Sequence, residues 1–194
     1  MEVSLYEDPL LAARMLVDSG FYSAEDAFEV LTEEMFAPGE IHLEWAKSTI
    51  DELFRVKLDD QKNWPNVTDC DRLDKAFDEM NSSGIIALQN AGMTQSEGWS
   101  DARSAYRSQG GKASGIDGYC FYHGQDLQGV VIRNVLYLAF GAVNQDKVDG
   151  IAVGKRIVSI LKSHQFEVEW NESFDERIEI RNIDWKRRSD PATI

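Results

Sequence analysis

The run Tyr122-His123-Gly124-Gln125-Asp126 holds the tightest cluster of chemically capable side chains in the sequence. An imidazole and a carboxylate three residues apart can form an orienting pair, in which the carboxylate fixes the ring's tautomer and the ring moves a proton. The same two residues have a plain structural use: histidine bonds backbone where a strand ends, and aspartate caps the first turn of the helix that follows. A third use is ligand binding without chemistry. His123 and Asp126 are therefore the candidate catalytic pair, with Tyr122 and Gln125 as binding groups beside them. A second polar loop, residues 90–101, adds Asn90, Ser96 and Asp101 as binding groups and Trp99 as an aromatic lid. If the strands before the two loops are parallel neighbours, both loops leave the sheet on one edge and their side chains share a cleft, where open α/β sheets place ligands. A nucleophile is hard to find, because Ser96 and Ser100 lack a G-x-S-x-G elbow and Cys120 is expected to point into the core.

The elements that must position these residues follow from hydrophobic spacing and caps. Asp8-Pro9 opens a first helix that Gly20 stops, and Ser23 with Asp26 resembles a capping box for a second helix reaching Pro38-Gly39. Ile41, Trp45, Thr49, Leu53 and Phe54 predict the buried stripe of a third, ending near Lys57. Thr68 and Asp71 open a fourth, with Leu73, Ala76, Phe77 and Met80 on one face and Gly84 after its end. Strand and helix then alternate: strand 85–88, helix 100–108, strand 118–122, short helix 125–132, strand 135–140, long helix 146–164, and a hairpin of 166–170 with 177–183. The expected fold class is α+β, α/β-like: an N-terminal helical unit followed by a mixed sheet of about five strands packed with helices. The expected division is a three-helix unit at 1–58, an α/β domain at 66–188 and a tail at 189–194.

Thirty-four acids against twenty bases give a net charge of -14, which repels phosphate and excludes an unaided nucleic-acid binder or a protein held on an anionic membrane. The excess is uneven, with 15 acids and 5 bases in residues 1–62. Solubility alone accounts for such a charge, and a basic protein partner is the sharper reading. No apolar run approaches the roughly 18 residues of a membrane span, and acids at Glu2, Glu7 and Asp8 do not suit a signal peptide, so a cytoplasmic location is expected. Cys70 and Cys120 lack C-x-x-C spacing and are expected to be free, buried thiols; neither a metal nor a cofactor is expected. Lys186-Arg187-Arg188 is the one dense basic cluster, with pairing to the acidic helices of the same chain set against phosphate binding.

Four features in order carry a resemblance: the aromatic-His-x-Gln-Asp run at Phe121 to Asp126, a Leu-x-Leu-x-aromatic-Gly strand at Leu136 to Gly141, a Val-x-Trp-acidic hairpin at Val168 to Asn171, with Asn171 where the pattern has an acid, and an Asp-Trp-basic-Arg-Arg ending at Asp184 to Arg188. Together they resemble an uncharacterised bacterial domain family of unknown function, over residues 71–188. The resemblance implies a shared fold and carries no activity with it. Relatives with cysteines after the first strand do not extend a metal or redox role to this chain, whose residues 90–96 contain none. The leading expectation is a non-enzymatic cytoplasmic binding or interaction protein, possible in an immunity-like role against a basic toxin. The alternatives are a hydrolase of a small polar substrate using His123 and Asp126, and a small-molecule sensor.

Overall fold

The computed structural model describes residues 8–190; the sequence readings on residues 1–7 and 191–194 lie outside them. The chain forms two compact units, one of residues 1–68 with 186–194 and the other of residues 69–185. This differs from the expected division in two places. The connection through Trp64 stays with the helices, and residues 186–189 return to them instead of ending the α/β domain. The return is held by Arg187 over the Phe21 ring at 4.6 Å, by Arg188 donating to the Pro65 carbonyl, and by Gln61, whose amide bonds the Ser189 carbonyl at 3.1 Å and amide at 3.2 Å.

In the helical unit, α1 (Pro9–Ser19) starts where Asp8 accepts the amides of Leu10 and Leu11, and stops at Gly20. Gly20 has φ +77°, and a Cβ there would lie 2.6 Å from Arg187 Cγ, so the position needs glycine twice over. The capping box of Ser23 and Asp26 opens α2 (Ala24–Glu29), which runs on as a π-helical stretch, Val30–Met35. α3 (Leu43–Asp60) buries Ala46, Ile50, Phe54 and Lys57. The predicted stripe is therefore rotated: Trp45 is 37% exposed, while Ala46 is fully enclosed in the cluster that holds Ala12 and Ala13. Small residues let helices approach closely, and that advantage outweighs the indole's apolar area here. Lys57 is buried because its Nζ donates to the Val17 carbonyl at 2.7 Å near the end of α1, sharing that acceptor with the Gly20 amide at 3.2 Å.

The second unit contains α4 (Asp69–Ser82), β1 (Ile85–Leu88), α5 (Gln95–Ser108), β2 (Gly118–Phe121), α6 (Gly124–Arg133), β3 (Leu136–Ala142), α7 (Lys147–Ser163), β4 (Glu167–Glu169) and β5 (Ile178–Arg181). The sheet order is β1-β2-β3-β5-β4, with β1 and β2 parallel and every other pair antiparallel. The architecture is α+β, as expected. Alternation along β2 sorts its side chains: Tyr119 and Phe121 join Ile86 and Ala139 under α5, and Cys120 and Tyr122 face the opposite way. On that opposite side α7 lies close against the sheet, since a Cβ on its Gly154 would meet the Phe140 ring at 2.9 Å. Both cysteines are free and buried, and burial pushes the Cys120 thiol above its ordinary range. The outer edge of β1 is occupied by a side chain: Asn81 Oδ1 accepts the Ala87 amide at 2.9 Å, and its Nδ2 donates to the Ala87 carbonyl at 3.0 Å. Among the described residues, no helix is long and apolar enough to cross a membrane.

Candidate functional site

β1 and β2 run in parallel register from Ile85 opposite Gly118 to Leu88 opposite Phe121, so the two strand-exit turns do emerge side by side. Sequence spacing suggests an open cleft between them. Instead the turns are hydrogen-bonded to each other. The Ala91 amide donates to the Tyr122 carbonyl (2.9 Å), the Gly124 amide to the Gly92 carbonyl (3.0 Å) and the Gln125 amide to the Met93 carbonyl (3.2 Å). Pairing thus continues past the strands into the loops. The first amides of α6, which would otherwise face an anion, are consumed by protein carbonyls. Asn90 (φ +51°) and Gly92 (φ +60°) give the first turn its left-handed course. A Cβ on Gly92 would sit 2.4 Å from Glu97 Cβ, so glycine is required where this turn folds onto α5.

His123 and Asp126 meet at the start of α6. Asp126 Oδ2 lies 3.1 Å from His123 Nε2 and also accepts the His123 backbone amide at 3.1 Å, while Oδ1 takes the Arg177 guanidinium at 2.7 Å. Both residues are buried, at 5% and 4% exposure. Burial pushes His123 below its ordinary value; Asp126 pulls it back up, and Arg177 and Glu97 act in opposite directions with smaller effect. A neutral ring then donates from Nε2 to the carboxylate and carries its lone pair on Nδ1, a buried atom with no hydrogen-bond partner among the described residues. Such a ring is oriented as a base should be. General base work further requires a reacting atom within hydrogen-bond reach, and the enclosure of Nδ1 opposes that.

The remaining candidates scatter. Tyr122 points to the other side of the sheet, where its hydroxyl donates to Gln89 Oε1 (2.8 Å), Gln89 Nε2 donates to Asp74 Oδ1 (2.7 Å), and its ring meets Phe77 and Trp185 edge-on. Trp99 is not a lid: it packs edge-on against Phe121 at 4.9 Å and Tyr119 at 6.0 Å and so walls the core beneath α5. Asn90 is half-buried in the turn, and Ser96, Asp101 and Gln125 are exposed. Two participants escape the sequence reading. Glu97 accepts the amides of Met93 (2.7 Å) and Thr94 (2.9 Å), and those backbone bonds hold its carboxyl below the usual range. Its signal is the Thr94-x-x-Glu97 capping box, which starts α5 at Gln95 instead of Ser100. Arg177 also stacks on the Tyr137 ring at 4.8 Å, and no local signal marks it, because only the antiparallel return of β5 brings it to Asp126.

A family model described as a domain of unknown function, DUF6891, matches residues 7–189 of the chain. No curated protein and no solved structure matches it.

Proposed function

The chain belongs to the DUF6891 family, a domain of unknown function, over residues 7–189, and we propose that it is a non-enzymatic interaction protein of the bacterial cytoplasm whose acidic surface receives a basic protein. An immunity-like pairing with a basic toxin is one form of this reading. The observation that carries it is the internal use of the strong polar groups at the strand exits. Both Asp126 oxygens are taken, the leading α6 amides are taken, and His123 is 5% exposed, so the groups best suited to chemistry serve the fold. The sign of the partner follows from 15 acids and 5 bases in residues 1–62, since complementary charge speeds encounter and repels nucleic acid and anionic lipid. The test is affinity capture from lysate at low and high salt. A stoichiometric basic protein released by salt supports the reading, and its absence at low salt counts against it.

A second reading, a small-substrate hydrolase, is favoured by the carboxylate-oriented imidazole with its lone pair on Nδ1. In that case the chain hydrolyses some member of a panel of small esters, amides and phosphoesters, and His123→Gln abolishes the turnover while the protein stays folded. Hydrolysis that persists in His123→Gln rules this reading out.

A further inference from the structure

From the helical unit we infer a specific docking surface: the groove between α1 and α3 takes a cationic amphipathic helix of the basic partner. The inference rests on the interaction-protein reading above and names its surface and the form of its ligand.

The groove has a volume of about 590 Å³ and is built from two stripes at helical spacing, Leu10, Arg14 and Asp18 on α1, and Thr49, Leu53, Val56 and Asp60 on α3. Residues at steps of three and four lie on one face, so each helix presents a continuous ridge with space between the two. From Ser48 to Asp60 the α3 wall spans twelve helical steps, or about 18 Å at the helical rise, which suits an occupant of three to four turns. Walls of this kind are the ones that receive the apolar stripe of a third helix.

Its chemistry specifies the occupant further. Leu10 is 47% exposed and Val56 42% exposed, while Leu53 and Trp64 also line the groove. Large apolar side chains left in water at one place mark an interaction site better than the same residues scattered singly. Around them stand the carboxylates of Asp18, Glu52 and Asp60, of which Glu52 already holds the Arg55 guanidinium through both oxygens. The lining cations are Arg14 and Lys57, and the Lys57 ammonium is turned inward to the Val17 carbonyl. Burial pushes the Asp18 carboxyl up, with Lys57 and then Arg14 opposing it. The rim itself is mixed, and its negative character comes from the segment around it, residues 1–62 with 15 acids and 5 bases; an apolar floor in that field complements a helix with leucine-like residues on one face and lysine or arginine on the flanks.

The test uses the full chain and two fluorescein-labelled synthetic peptides of about 18 residues, long enough to span the groove as a helix. In one, leucines recur at i, i+3, i+4 and i+7 with lysines elsewhere; the other has the same composition with the leucines distributed around the helix. Fluorescence anisotropy at low salt is expected to show the amphipathic peptide binding at least about ten-fold more tightly than its control. A Leu10→Ser/Val56→Ser variant, changed only at exposed positions, is expected to lose about ten-fold of that affinity at an unchanged urea midpoint. Equal binding of the two peptides overturns the inference, because charge alone then explains the affinity. Full affinity in the double variant overturns it by moving the site elsewhere. A wild-type chain that dimerises, and disperses on the double substitution, overturns it in favour of a second copy as occupant. The lysate capture separates the two levels: a salt-released basic partner retained by the double variant sinks the groove and leaves the interaction reading standing, whereas no such partner for the wild-type chain sinks that reading itself.

Discussion

The strand-exit turns of the α/β unit and the α1–α3 groove of the helical unit spend their side chains in opposite ways. At the turns, histidine and aspartate are drawn inward, at 5% and 4% exposure, and they, the half-buried Arg177 and the exposed Glu97 are bonded to one another or to backbone. In the groove, Leu10 and Val56 stay in water beside the carboxylates of Asp18, Glu52 and Asp60. Folding uses up the first set and leaves the second exposed. Polar residues crowded in sequence are claimed by the fold itself when a helix start and a loop lie close enough to bond them.

Four measurements sharpen or break this contrast. Asp126→Ala removes the acceptor of three hydrogen bonds and strands the buried imidazole donor, and is expected to cost about 3 kcal/mol in urea unfolding. A loss near zero would mean that the turn network is ornamental. Gly92→Ala places a Cβ against Glu97 at a left-handed position and is expected to cost about 1–2 kcal/mol, read as a lower melting temperature. His123→Gln tests the buried ring through pH. The folded protein holds His123 below its ordinary 6.5, so the unfolded chain binds the proton more readily. Its contribution is therefore complete above about pH 6.5 and is lost as pH falls through that value toward the depressed one. Wild type should lose stability between pH 7 and pH 5 more steeply than His123→Gln, and parallel slopes would show the ring to be solvated. The smallest effect belongs to the groove: Val56→Ser should change stability by less than about 0.5 kcal/mol, since that side chain is already in water. A large loss would place Val56 in the core and weaken the groove as an interface.

Much of the fold was legible because its signals are local. Asp8-Pro9 and Ser23 with Asp26 mark helix starts through bonds made within three residues, and both stand in the structure. The parallel placement of β1 and β2 followed from the helix between them. The face of α3 was misread because alanine carries little hydrophobic signal, although close helix approach favours it, and because a lysine on the buried side reads as solvent-facing. The candidate site was legible as a location and not as an arrangement. Tyr122 follows the strand's alternation to the far face, Trp99 fills the space under α5, and Arg177 arrives from 51 residues away. Side-chain direction and long-range return are tertiary facts, and no window around residue 123 contains them.

The carboxamide of Asn81 on the outer rung of β1 bears on how copies of this chain can meet. Standing where another molecule's backbone would have to attach, it leaves strand-to-strand polymerisation only the far margin, β4. There the sequence is Glu-Val-Glu, with Glu169 bridged to Arg181 and Glu167 bonded to Asn182, so charged and polar side chains flank any strand that would pair. A sheet stoppered at one end and flanked by charged side chains at the other resists extension by its own kind, so crowding in the cell should bring these molecules together without knitting them into fibres.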